Sequence, residues 1–229
     1  MTTAEDNASF LRVRFVARLL AARPENVLDV GAGGGAVLAS LRAAGIDAEG
    51  CEGSAERVAD LVAQGFACTL ADACELPFED GSYDWVAMRH VPHHLVDPAA
   101  AIGEALRVAR TGLLVAEPWF DLDLPSQRVA LAAEDWLKVH HRRSGMIHGP
   151  NHTAAQLLAF APSDVEAEIH HLLRLRRRTP ESLELDAAPY LDALAVDAPE
   201  REQWEEIRQR VATDGLSWNG SVMVVMEKG

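Results

Sequence analysis

No run of apolar residues in this chain approaches the roughly 20 that a membrane-spanning helix requires, so no membrane partner is expected. An excess of positive charge is also missing. The 21 Lys and Arg stand against 35 Asp and Glu, a net charge of −14. Phosphate binding needs a basic footprint, which argues against duplex DNA or long RNA as a partner. The first six residues are acidic and contain no apolar h-region, so no signal peptide is expected. Cysteine is scarce. Cys51, Cys68 and Cys74 form no CxxC pair, and an odd count without a secretion signal fits reduced thiols in a cytosol. Repeats and low-complexity stretches are absent. What remains is a chain of 229 residues, 48% hydrophobic, long enough to bury a sizeable core as one domain with an appended lid.

The most informative stretch that is present is Val27-Leu28-Asp29-Val30-Gly31-Ala32-Gly33-Gly34-Gly35-Ala36. An apolar run ends in an acid, opens into a glycine-rich turn and continues at once as a helical pattern. Strand, tight turn and helix in that order present backbone N–H groups and a helix N-terminus to a ligand. Glycines are needed where a side chain would block that ligand or where the turn demands positive φ. Gly31-x-Gly33-x-x-Ala36 also fits the dinucleotide fingerprint of NAD enzymes, so the turn alone leaves the cofactor open.

The rest of the first half alternates. A helix over 8–22 precedes strands over 27–30, 46–51, 66–70, 83–88 and 113–116, with helices over 36–44, 55–64 and 98–109 between them. This spacing predicts βαβ units and a parallel sheet covered on both faces. After Glu117 the rhythm changes. A helix over 121–141 stands apart from the sheet, a polar loop over 144–153 follows, and a short helix lies near Leu157. A sixth strand is expected over 165–175, one or two helices over 189–211, and a last strand over 216–226 with Val222, Val224 and Met226 on one face. A final strand reached without a crossover helix predicts an antiparallel hairpin with strand six. The expected divisions within the single domain are an N-terminal helix over 1–24, a cofactor-binding core over 25–118, a lid and substrate segment over 119–163, and completing strands and helices over 164–229.

Three signals favour S-adenosylmethionine (SAM) over NAD. Glu52, 21 positions after Gly31, ends the second strand and can accept from both ribose hydroxyls, although that serves either cofactor. Asp72-Ala73 follows the third strand, where an acid and a small residue can meet an adenine, and Leu76-Pro77-Phe78 can close over it. The predicted final hairpin is foreign to an ordinary NAD domain.

In these motifs the chain resembles the class I SAM-dependent methyltransferases, in particular the small-molecule group called methyltransferase type 11. The resemblance covers about residues 27–116. It rests on Asp29-Val30-Gly31-Ala32-Gly33-Gly34-Gly35, on Leu76-Pro77-Phe78-Glu79-Asp80-Gly81-Ser82-Tyr83-Asp84, and on His93-His94-Leu95-Val96-Asp97-Pro98. The family's Lys-Pro-Gly-Gly turn before strand five is replaced by Arg110-Thr111-Gly112. The resemblance implies a doubly wound α/β domain with a seven-stranded, mostly parallel sheet in the order 3-2-1-4-5-7-6 and the last strand antiparallel. It implies that Gly31, Ala32 and Gly33 line the methionyl part of SAM, that Asp29 orients its amine, that Glu52 with Gly53 holds the ribose, that Asp72 and Ala73 frame the adenine, and that Arg89 offers its backbone carbonyl.

Methyl transfer from a sulfonium is an in-line displacement, so the protein mostly positions the acceptor. A base is required only where the acceptor must lose a proton, and histidine is the usual one. His90 and His93 are the candidate catalytic residues, since they follow strand four at the carboxyl edge of the sheet. His94, Trp119, His140, His141 and Arg143 are the candidate substrate contacts. His148 and His152 are four apart, but Gly149-Pro150 forbids a regular helix between them, and no metal site is expected. The predicted activity is methyl transfer from SAM to a small organic acceptor at O, N or C, by a monomer or homodimer. The rivals are a methyltransferase-fold enzyme with non-methyl chemistry such as cyclisation, a non-catalytic SAM-binding partner, and an NAD oxidoreductase. The alanine-rich composition and the lack of targeting signals point to a bacterial, cytoplasmic enzyme of secondary metabolism.

Overall fold

A computed structural model describes residues 3–229; residues 1 and 2, which begin the expected N-terminal segment and the leader reading, lie outside the described residues. The elements run α1 (Ala4–Ala21), β1 (Asn26–Val30), α2 (Ala36–Ala43), β2 (Asp47–Glu52), α3 (Ala55–Ala63), β3 (Ala67–Leu70), β4 (Tyr83–Arg89), α4 (Pro98–Val108), β5 (Ala109–Trp119), α5 (Pro125–Arg143), α6 (Ala154–Ala159), β6 (Val165–Leu172), α7 (Pro180–Ala193), α8 (Pro199–Asp214) and β7 (Gly220–Lys228). A short 3₁₀ turn, Pro92–His94, links β4 to α4.

One sheet holds all seven strands in the order β3-β2-β1-β4-β5-β7-β6. The strands pair in parallel except β7, which is antiparallel to both β5 and β6. This is the expected order. The antiparallel β7 inserted beside β5 separates the sheet from the 3-2-1-4-5-6 order of an NAD domain.

Strand alternation builds two cores. Leu28, Val30, Val86, Met88, Leu113, Val115, Val222, Val224 and Met226 pack on one face under α4 and α6. Val27, Trp85, Ala87, Leu114, Ala116, Met223 and Val225 pack on the other against Phe15, Val16 and Leu19 of α1 and Val37 and Leu41 of α2. Strands buried on both faces must be apolar at nearly every position, which is why they read as continuous apolar runs. A third core lies off the sheet, where Trp136 of α5 and Trp204 of α8 meet Leu183 and Ala187 of α7.

Several elements differ from the sequence expectation. β5 spans Ala109–Trp119 rather than 113–116, because β7 pairs with it from Gly112 to Trp119. Arg110-Thr111-Gly112 therefore lies within the strand, with Arg110 ion-paired to Asp84. β6 ends at Leu172 and β7 begins at Gly220, and because α7 and α8 lie between them the two strands pair antiparallel without forming the expected hairpin. α5 begins at Pro125, since Asp121 and Asp123 form a turn before it (Asp123 N to Asp121 Oδ1, 3.1 Å). The segment expected as helix over 189–211 is two helices, the first starting at Pro180. Pro180 and Pro189 both suit a first helical turn, but Thr179 caps the earlier one by accepting from Ser182 N at 3.2 Å, which leaves Pro189 inside α7. No helix among the described residues is long and apolar enough to cross a membrane.

Candidate active site

The carboxyl ends of β1 to β4 open into a cleft of about 1050 Å³. Crevices at this edge are where open α/β sheets bind ligands. Its floor is the turn between β1 and α2. Gly31 adopts φ +70°, and a Cβ there would stand 2.5 Å from Val91 Cγ2. Gly35, φ +78°, caps α2 against Leu61, whose Cδ2 would lie 2.7 Å from an added Cβ. Both positions thus need the missing side chain and the left-handed backbone. Gly31 N donates to Cys51 O at 2.8 Å, and Gly33 N donates to Glu52 Oε1 at 2.5 Å. The second bond ties the carboxylate at the end of β2 to the glycine turn.

Asp29, Gly31, Ala32, Gly33, Glu52, Gly53, Asp72, Ala73, Arg89, His90 and His94 all line this cleft. Asp72 also caps its own turn by accepting from Cys74 N at 2.8 Å. Two polar atoms on the wall are buried without hydrogen-bond partners, Asp29 Oδ2 and His90 Nε2. Buried polar groups are nearly always satisfied, so such atoms in a concave site point to a ligand. Asp29 is 2% exposed, and burial pushes its carboxyl up to about 7. His90 has φ +58°, a left-handed backbone held by its N–H on Ala116 O at 2.8 Å. Strain of this kind persists where the surroundings over-determine it and clusters at functional sites. Burial, with the Arg89 charge adding, lowers the His90 imidazole to about 3. The ring is therefore neutral at pH 7 and a weak proton acceptor, suited to hydrogen bonding rather than general-base work.

His93 does not line the cleft. Its Nδ1 lies 2.9 and 3.0 Å from the two carboxylate oxygens of Glu117, which is fully buried at the end of β5. His152 N donates to the same carboxylate at 3.1 Å. Burial alone would raise the Glu117 pKa, but the hydrogen bonds from His152 and His93 outweigh it and hold the carboxylate at about 2.

The lid residues take other places. Trp119 packs at a tilt against His171, ring centroids 4.7 Å apart, His140 lies between Trp136 (4.0 Å) and Tyr190 (5.4 Å), and Arg143 pairs with Glu200 at 2.6 Å. None of these three lines the cleft. α5 packs its apolar face against α7 and α8, which takes His140 and Arg143 with it, and Trp119 ends β5 beside His171 of β6. His141 turns to His148, Nδ1 to Nδ1, at 2.7 Å. From residues 119–163 it is Gly145, Met146 and Ile147 that reach the cleft. They do so because the loop after α5 folds back onto the 3₁₀ turn, where Gly149 N donates to His93 O at 2.7 Å. Nothing in the local pattern marks these three residues. The thiols are not nucleophiles here, since burial raises the most buried, Cys51, to about 12.

Residues 28–116 match the family described as methyltransferase domain. A demethylmenaquinone methyltransferase from Beutenbergia cavernae is 39% identical over 109 residues, 44% of this chain and 45% of that protein. The chain matches less than half the length of such curated relatives. Among solved structures, the YcgJ protein of Bacillus subtilis superposes with a TM-score of 0.65 at 14% identity, covering 94% of this chain and 98% of that one. A phosphoethanolamine N-methyltransferase 2 from Haemonchus contortus, in complex with S-adenosyl-L-methionine, superposes with a TM-score of 0.58 at 18% identity, covering 95% and 53%. At these identities the structures speak for the fold, and the matched domain speaks for the lineage. Over residues 28–116 this chain is similar to the methyltransferase domain family, on a fold shared with solved methyltransferases.

Proposed function

We propose that this chain transfers a methyl group from SAM to a small organic acceptor at O, N or C. The observation that carries the proposal is the pair of unpartnered buried atoms, Asp29 Oδ2 and His90 Nε2, on the wall of a cleft whose glycine floor admits no side chain at Gly31. The cleft suits SAM in size and in charge. Glu52 would hold the ribose hydroxyls, Asp29 the ammonium, Asp72 and Ala73 the adenine, and the backbone of residues 31–33 the methionyl chain. SAM, when bound, supplies a methyl already activated by the sulfonium charge. The chain then has to exclude water and align the acceptor. Leu95, Met146 and Ile147 supply an apolar wall for this, and neutral His90 supplies a hydrogen bond without competing for a proton. The net charge of −14 favours a small acceptor over a nucleic acid.

The test is a thermal shift of the purified protein with SAM, S-adenosylhomocysteine, NAD and NADP. A ligand at 100 times its Kd adds about 2.7 kcal/mol. Stabilisation by the two adenosyl-sulfur ligands alone supports the reading, and stabilisation by NAD or by none of the four overturns it.

Asp29 adds a pH dependence with a definite sign. Because its folded pKa is raised from 3.8 to about 7 by burial, the ligand-free protein has the associated stability in full below 3.8 and loses it as pH rises through 7. Binding a cationic ammonium needs the carboxylate. SAM binding below pH 7 is thus expected to release a proton, with affinity rising towards pH 7 and levelling above it. Calorimetry in buffers of different ionisation heat reads the proton directly, and Asp29→Asn should abolish the dependence. A proton count of zero at pH 6 would remove Asp29 from the ammonium.

A further inference from the structure

We propose that His93, His94 and His148 form a binding site for a divalent transition metal, of which Zn²⁺ is the representative, at the wall of the cleft. One ring nitrogen from each of the three lies within 4.8 Å of the others. The rings are packed together, with centroids 4.2 Å apart for His93 and His94, 4.5 Å for His94 and His148, and 5.2 Å for His93 and His148.

The hydrogen bonds decide which nitrogens are free. His93 Nδ1 faces the Glu117 carboxylate, an acceptor, so Nδ1 carries the proton and Nε2 the lone pair. His94 Nδ1 faces the Ile147 carbonyl at 3.0 Å, which imposes the same tautomer. His148 Nδ1 meets His141 Nδ1 at 2.7 Å, and with His148 as the donor of that bond its Nε2 carries the lone pair. Carboxylate and carbonyl partners on the far nitrogen are the outer-shell arrangement that fixes metal-binding histidines.

Three ring nitrogens gathered this closely can share one cation. Tetrahedral ligands at 2.0–2.1 Å from one ion stand about 3.4 Å apart, so the cluster needs to contract by roughly an ångström, within reach of side-chain rotation. The buried Glu117 charge behind His93 favours a cation. Lys138 is near, but its ammonium is paired with Glu134 at 3.0 Å and Asn151 Oδ1 at 2.5 Å. Three nitrogen ligands leave a fourth position open, and His94 lines the cleft. An oxygen or nitrogen donor of an acceptor would complete that position, a role that rests on the methyl-transfer reading; the metal site itself does not.

The test uses untagged full-length protein freed of metal by a chelator. It is titrated with Zn²⁺ by calorimetry and with Co²⁺ by visible absorption. One equivalent of each and a tetrahedral Co²⁺ spectrum are expected. His148→Ala and His94→Ala should each abolish the spectrum. Glu117→Gln, which keeps the shape, should weaken Zn²⁺ roughly 10–100-fold, whereas His140→Ala should change nothing. No saturable binding, or binding that survives both His148→Ala and His94→Ala, overturns the site. SAM titrated into the same metal-free protein separates the two readings. SAM binding without Zn²⁺ binding ends the metal proposal alone, and Zn²⁺ binding without SAM binding ends the cofactor reading alone.

Discussion

Replacing Glu52 with alanine is expected to weaken SAM binding by well over tenfold while leaving the fold intact. The side chain stands at the end of β2, half-buried and facing the cleft, where no apolar packing depends on it. Its carboxylate has two tasks. One is to accept from the ribose hydroxyls in the proposed complex. The other is visible in the protein alone, where Oε1 accepts from Gly33 N at 2.5 Å and so holds the glycine turn in its left-handed shape. Hydrogen bonds to a charged group contribute roughly 1.5–3 kcal/mol each, and losing one ribose bond already exceeds a tenfold change. Glu52→Gln separates the tasks. The amide oxygen can still accept from Gly33 N, but the charge and one acceptor are gone, so its affinity should fall between wild type and alanine. Calorimetry with SAM and with S-adenosylhomocysteine checks both variants. Equal affinity for wild type and Glu52→Ala would refute the ribose assignment and leave Glu52 as a turn clamp.

The cofactor side of the cleft is legible in the sequence because each of its signals is local. Val27, Leu28 and Val30 are apolar since β1 is central and covered on both faces, and Gly31 and Gly35 are glycine because their turn holds both at positive φ. Glu52 and Asp72 end strands whose positions follow from the alternation. The acceptor side has no such logic. Whether His140 or Met146 faces the cleft depends on how α5 is rotated, and α7 and α8, about 50 residues later, set that rotation by offering Trp204, Leu183 and Ala187 to Trp136. His148 was discounted on its spacing to His152, since Gly149-Pro150 breaks any helix between them. The helix is indeed absent, but His148 meets His93 and His94, more than 50 positions earlier, because the loop folds back on the 3₁₀ turn. Helical spacing carries no information about such a contact. β5 is longer than its own apolar pattern for a related reason. Gly112 to Trp119 are held in the strand by β7, and the polar start before them follows β4 through Tyr83 and Ala109.

Glu117→Ala should cost more stability than any other single change at the site. The carboxylate is wholly buried and joins three pieces of chain, namely β5, from which it projects, the 3₁₀ turn through His93 Nδ1 at 2.9 Å, and the loop before α6 through His152 N at 3.1 Å. Alanine leaves a buried imidazole N–H and a backbone N–H without acceptors and opens a hole where the side chain stood. Each buried donor left without its acceptor costs roughly 1–3 kcal/mol, and the two stranded here together take a large fraction of the roughly 5–15 kcal/mol that holds a typical domain folded. The damage should also be local. With His152 released, residues 145–153 lose their tie to β5 while keeping others such as Gly149 N on His93 O, and Met146 and Ile147 are carried on that loop. Urea unfolding should show a lower midpoint with an unchanged slope, and amide hydrogen exchange should speed up over 145–153 well before it does in β1 or β4. Glu117→Gln retains volume and one acceptor and should fall between the two. A Glu117→Ala midpoint within error of wild type would mean that the histidines find other acceptors, and that the wall of the cleft formed by this loop is held by packing rather than by the buried carboxylate.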